Sequence, residues 1–309
     1  QYIEKNGGTE CIGSRAAGFD FFPILIKLID AKDNLSIQVH PDDEYALRVE
    51  GEYGKTEMWY IVDCEPDSFL YYGVNREVTK DEFRERIENN TLLEILNKVP
   101  VKKGDVFFMP SGTIHAICSG ILICEVQQNS NTTYRVYDYG RLQNGKPREL
   151  HVEKAIDVTD TVPPVRGGDP DSAPAVKGDA TEQALCQCEF FKMDTLDVDG
   201  KYDLSVTEES FVSVLVLEGE GKVSSLDAKA GDSFFLPAGD YNALIEGKIK
   251  AGNTLLMHAG ASGLASVIIP MAKAFGIRVI TTVLTEEIAA SISHLGADRV
   301  VATNKENTK

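Results

Sequence analysis

No two of the six cysteines, at positions 11, 64, 118, 124, 186 and 188, stand at C-x2-C spacing. That lack excludes thiolate zinc ribbons and the C-x-x-C redox motif, and the six read as reduced thiols of a cytoplasmic protein. A basic excess is missing too: 31 Lys and Arg against 48 Asp and Glu leave a net charge of -17. A nucleic-acid partner, which needs a basic face, is therefore not expected. A small anion remains open, because a pocket needs only a few local cations. Nor is there a clean apolar run of membrane length. The longest, 254–274, is broken by His258, by Gly and Ser, and by Pro270, and reads as strand, turn and helix, so no membrane partner is expected. No signal peptide is visible. The chain opens on Gln1, and a first domain is under way by FFPILIKLID, so a missing N-terminal piece is expected. Nothing in the composition fixes an oligomeric state.

What the chain does have is one segment twice. GDVFFMPSGTIHAI, from Gly104, and GDSFFLPAGDYNAL, from Gly231, share Gly-Asp, Phe-Phe, Pro and Gly in register and differ where His115 meets Asn242. Gly104 should turn into a strand, Pro110 and Gly112 should shape the next turn, and His115 should point inward from the strand that follows. The pattern resembles the second motif of the cupin superfamily, small β-barrels that bind a metal inside. The plainer alternative is a pair of structural turns with His115 a satisfied core histidine.

The rest of the chain suits a mainly β fold. FPILIKL, LSIQVH and EMWYIV read as strands, as do 106–109, 122–127 and 133–138. From Thr79 to Leu96 the period becomes helical, with Thr79 as cap and acids in the first turn, and a short helix is expected from Leu150 to Val158. The stretch 160–180, rich in Pro, Gly and Asp, reads as a linker. The expected organisation is a catalytic cupin-like jelly-roll barrel over 1–158 with a helical insertion at 79–100. A linker at 159–182 then leads to a second barrel without metal at 183–250. A Rossmann-like βαβαβ fragment follows at 251–309.

Four side chains form a candidate metal set. Gln38 and His40 have period-two spacing and so face one way, Glu57 opens the next strand, and His115 closes the group. Two imidazoles, a carboxylate and an amide suit zinc or a similar divalent ion and leave room for substrate. On these residues the resemblance becomes specific. LSIQVHPDDEYAL, GKTEMWYIV, GDVFFMPSGTIHAI and EVQQNSNTTYRVYDYGR are similar to the mannose-6-phosphate isomerases of the short bacterial type, over about residues 20–247. The resemblance implies a zinc-dependent aldose–ketose isomerase acting on a phosphorylated hexose, with metal ligands at Gln38, His40, Glu57 and His115. It also implies active-site residues at Lys55, Glu125 and Arg135.

The roles of those three stay open from sequence. Glu125 could be the acid/base or a rim carboxylate. Lys55 could orient hydroxyls, bind phosphate or move protons. Arg135 could hold phosphate or pair with Asp138. Asp42 and Asp43 should shape a turn, with Asp43 also able to support a metal ligand from behind, Trp59 and Tyr60 should be core, and His151 should lie on the surface of its helix. The tail, TLLMHAGASGLASVIIPMAKAFGIRVITTV, resembles the nucleotide-binding part of medium-chain quinone-reductase-like dehydrogenases, with small residues at Ala259, Ser262 and Ala265 in the turn. It is expected to be a fragment without activity of its own. The rival functions are an NAD(P)-dependent oxidoreductase built on the tail, a non-catalytic sugar-binding cupin, and a cupin dioxygenase.

Overall fold

The computed structural model describes residues 8–252, except 17, 20, 21, 144, 166 and 167, together with 280–283 and 299–302. The described residues are mainly β and divide into two compact units: Ala16–Ala175 with Glu182–Thr195, and the rest.

The first unit carries strands β1 (Ile24–Ala31), β2 (Ile37–Val39), β3 (Glu57–Cys64), β4 (Phe69–Val74), β5 (Leu96–Pro100), β6 (Val106–Met109), β7 (His115–Ile117), β8 (Ile121–Gln128) and β9 (Tyr134–Tyr137). It also has a small hairpin of β10 (Leu142–Gln143) and β11 (Lys146–Pro147). Its helices are α1 (Asp43–Val49), α2 (Lys80–Glu88) and α3 (Val152–Val158). One sheet runs β1-β8-β3-β6 and the other β5-β4-β7-β2-β9.

The period-two alternation of these strands sorts their side chains into two buried layers. Trp59, Ile61, Phe107, Met109, Ile121 and Ile123 of the four-stranded sheet pack with Leu70, Tyr72 and Ile117 of the five-stranded one. On the other side of the five-stranded sheet, Ile37, Val39, Ile114, Ala116 and Val136 pack against Phe83 of α2 and Ala155 and Ile156 of α3. Full burial of each large apolar side chain stabilises by about 1.5–3 kcal/mol.

Two expectations are corrected. Neither expected barrel closes: strands β1 to β9 form two open sheets, and the strands expected to make the second barrel form one open sheet. Proline explains part of this, since Pro100 ends β5 and Pro110 follows β6, and neither can donate to another strand. The Val106 amide of edge strand β6 bonds instead to the Gly168 carbonyl, 3.0 Å away. The helix read from Thr79 to Leu96 stops at Glu88. Asn90 takes a left-handed φ of 59°, and Leu92–Ile95 form a separate 3-10 turn. Its start is as expected, with the Thr79 side chain accepting from the Glu82 amide.

The remaining strands are β12 (Ala175–Lys177), β13 (Ala180–Gln187), β14 (Lys192–Val206), β15 (Val212–Val223), β16 (Leu226–Lys229), β17 (Ser233–Leu236) and β18 (Tyr241–Gly252). In the second unit β14, β18, β15 and β16 lie in that order, and β17 also pairs with β15. Val198, Val214, Val216, Ile245 and Ile249 make its core. Charges of alternating sign face one another across the three central strands: Asp197–Lys250–Glu218, Asp199–Lys248–Glu220 and Lys201–Glu246–Lys222.

The doubled segment builds the same turn in both units. Gly104 and Gly231 have φ of 92° and 88°. Their amides donate to Ile61 and Val216 carbonyls at 2.8 Å in each case. Asp105 and Asp232 accept from the amides of Lys102 and Lys229 at 2.9 Å in each case. The copies part at the twelfth place, where His115 is buried and Asn242 is exposed.

Beyond Gly252, β19 (Ile280–Val283) and β20 (Arg299–Ala302) pair in parallel. The first strand, the helices and the 259–265 turn of the expected βαβαβ fragment lie outside the described residues. Among the described residues no helix is long and apolar enough to cross a membrane.

Candidate metal centre

The inner face of the first unit gathers most of the expected residues. His40, Glu57 and His115 bring one nitrogen or carboxylate oxygen each within 4.8 Å of one another, and all three are buried. Their backbone positions follow from strand pairing. Glu57 starts β3, His115 starts β7, and β2 places Gln38 opposite His115. The Gln38 amide lies 3.4 Å from His115 Nε2.

Both imidazoles are oriented by carbonyls. His40 Nδ1 donates to the Thr132 carbonyl at 2.9 Å and His115 Nδ1 to the Thr113 carbonyl at 2.8 Å. A carbonyl can only accept, so each ring is left with its Nε2 lone pair inside the site, as a metal ligand requires. His115 Nε2 is 3.1 Å and His40 Nε2 3.7 Å from a Glu57 oxygen. Burial, and next the charge of Lys55, pull the His40 pKa well below its usual value and keep it neutral. For Glu57, burial opposes ionisation. The charge of Lys55 outweighs it, and the carboxyl is held well below the usual range.

Lys55 enters from two residues before Glu57. Its Nζ sits 2.6 Å from Glu57 and 3.2 Å from His40 Nε2. It is 3.8 Å from Glu125. Burial works against its charge, but Glu57 and Glu125 raise its pKa overall. Neither Glu57 oxygen has a hydrogen bond of good geometry, although both are buried. An ionised carboxylate held by Lys55 and facing two Nε2 atoms and an amide is a donor set that fits a divalent cation.

Glu125 lies beside this group on β8, opposite Lys27 of β1 and Trp59 of β3. Lys27 Nζ reaches its Oε1 at 2.7 Å and the Trp59 indole donates to its Oε2 at 3.0 Å. Arg135 is in register with Gln38 on β9, but its guanidinium does not join the cluster. It donates to Ser36 Oγ at 3.1 Å and to the Glu149 carbonyl at 3.2 Å. Asp138, the alternative partner, is taken by Arg141 and lies 3.6 Å from Arg148. Arg135 is thus left without a carboxylate partner among the described residues. Burial and the neighbouring Arg148 lower its pKa.

Several contributors escaped the sequence reading. Lys27 was legible in principle as the one charge within the apolar run FPILIKL. Gln127 accepts from Lys27 and donates to the Gln128 and Ser130 carbonyls. Gln128 accepts from the Thr56 amide at 2.7 Å and donates to Asp43, which also accepts from the Gly54 amide. Asp43 thus takes the supporting role left open to it from sequence: it fixes the strand entry that carries Lys55 and Glu57. Asp42 caps α1. Trp59 is buried as expected, but its indole is bonded within the site. His151 precedes α3 and accepts from the Arg135 amide at 3.3 Å, so it is not a free surface residue.

Comparison with known proteins shows the family. The family "Phosphomannose isomerase type I, catalytic domain" matches residues 5–90, and "Mannose-6-phosphate isomerase, cupin domain" matches residues 181–252. Mannose-6-phosphate isomerase ManA of Bacillus subtilis is 43% identical over 234 residues, 74% of this chain and 73% of that protein. The mannose-6-phosphate isomerase of Streptococcus mutans is 40% identical, over 70% of this chain and 68% of its own. The crystal structure of the mannose 6-phosphate isomerase from Bacillus subtilis superposes with a TM-score of 0.73 at 38% identity, over 81% of this chain and 79% of the other.

Proposed function

The chain belongs to the type I mannose-6-phosphate isomerases, and on that premise we propose how its residues interconvert mannose 6-phosphate and fructose 6-phosphate. Gln38, His40, Glu57 and His115 hold one zinc ion. The observation that carries this is the buried His40–Glu57–His115 group, with one ligand atom from each within 4.8 Å of the others. The bound cation supplies a Lewis acid for the sugar carbonyl.

The remaining work falls to side chains. The reaction moves a proton between C1 and C2 of the open-chain sugar through an enediol. Glu125 is the carboxylate placed to carry that proton, held by Lys27 and Trp59 beside the ligand group. Lys55, buried and charged between Glu57 and Glu125, orients a sugar hydroxyl by donating to it. Arg135 receives the phosphate, since its guanidinium bonds only neutral acceptors and its planar fork matches a dianion. The six free thiols support a reducing, cytoplasmic setting. For the tail, the parallel pairing of β19 and β20 is in keeping with a Rossmann-like fragment; the reading that it has no activity of its own would be overturned by NADPH binding at micromolar concentration.

The test couples fructose 6-phosphate formation to a reporter. Turnover is expected with zinc, lost with chelator and restored by zinc. His115→Ala should lose both metal and activity, by more than the ~10–100-fold that follows loss of a ligand's supporting partner. Absence of turnover in the zinc-loaded protein refutes the isomerase, and activity in metal-free His115→Ala refutes the metal's part.

A further inference from the structure

Trp59 is the only tryptophan of the chain and is fully buried. It stands two residues after Glu57 on β3, so both side chains face the inter-sheet layer. Its cross-strand neighbour on β8 is Glu125, and its indole N–H donates to Glu125 Oε2 at 3.0 Å. The same ring meets the His115 ring edge-on, with centroids 5.1 Å apart and planes at 88°. Glu125 Oε1 is served by flexible ammonium groups, Lys27 at 2.7 Å and Lys55 at 3.8 Å. Those cations can follow the carboxylate wherever it turns. The indole cannot, because its ring is packed among Ile61, Phe107 and Met109 and has a single donor of fixed direction.

We propose that Trp59 is a positioning residue for the isomerisation, fixing the orientation of Glu125 through its N–H and the tilt of His115 through its ring. The inference rests on the roles given above to Glu125 and His115. One rigid side chain then sets the distance between the proton-carrying carboxylate and a metal ligand, and a sub-ångström error there is costly to rate.

The experiment uses the full zinc-loaded chain. Trp59→Phe keeps an aromatic ring beside His115 and removes the N–H. It should lower kcat about tenfold or more while leaving KM within about twofold and zinc content unchanged. In a Glu125→Ala background the same substitution should cost nothing further, whereas a general packing defect would cost the same in both backgrounds. Independently of activity, the lone indole N–H gives one NMR signal, which Glu125→Ala should shift. Wild-type kcat in Trp59→Phe, additive losses, or an unmoved indole signal each overturn the proposal. Wild-type turnover in Glu125→Ala instead overturns the acid/base reading, and with it any need for positioning. If Trp59→Phe loses zinc or fails to fold, the indole signal of Glu125→Ala alone decides.

Discussion

Single residues at this site act through what their neighbours leave free. A carbonyl on each Nδ1 leaves both histidines with Nε2 as a ligand atom, and Asp138, taken up by other arginines, leaves Arg135 for an anion. Arg135→Ala should therefore raise KM for mannose 6-phosphate and lower kcat/KM by about 10–100-fold, as loss of a charged hydrogen-bonding partner does. Inorganic phosphate should inhibit the variant more weakly than the parent. Steady-state kinetics with phosphate as competitor measures both, and an unchanged KM refutes the assignment. The ligand candidates were legible because their chemistry is written in residue type and parity. Lys27, Gln127 and Gln128 were not, because a lone Lys or Gln in an apolar strand acquires meaning only from the strand paired beside it.

At the scale of elements, cross-strand charge accompanies the register that the second unit's buried face imposes. Lys248 of β18 stands between Asp199 and Glu220, and Glu246 between Lys201 and Lys222. A slip of one residue would turn this ladder into the core and Ile249 and Ile245 into solvent. Lys248→Glu aligns three acids across the sheet and should destabilise by about 0.5–2 kcal/mol, with partial recovery at high salt and on pairing with Asp199→Lys. Thermal melts of the single and double variants read this out, and a single variant as stable as the parent refutes it. Element starts were legible in the sequence, as with Thr79 before α2. Ends were less so: the apolar period carries on past Glu88, while the left-handed turn at Asn90 breaks the helix.

Across the whole molecule, burial decides which groups can react. Burial pushes the thiols of Cys118 and Cys124 up to about 12. The thiolate is the nucleophile, so both stay protonated and inert in the folded chain as pH rises to about 9, near where an unhindered thiol ionises. Alkylation at pH 8–9 followed by mass spectrometry should label Cys64 and Cys188 ahead of Cys118 and Cys124, which react only after unfolding; labelling of Cys124 in the native protein refutes this. The doubled segment announced two related units. Whether each closes as a barrel was not legible, because closure depends on whether distant edge strands meet.

β2 joins these scales. Its alternate residues serve two layers, Ile37 and Val39 the helices and Gln38 the metal corner. Adding or deleting one residue between Leu35 and Gln38 would exchange the two sets, stripping the site of a ligand and burying an amide in the helical layer together. The hairpin from Leu142 to Pro147 pairs only with itself among the described residues and can change length freely. Chain length in this enzyme should therefore vary at the hairpin and stay fixed ahead of β2.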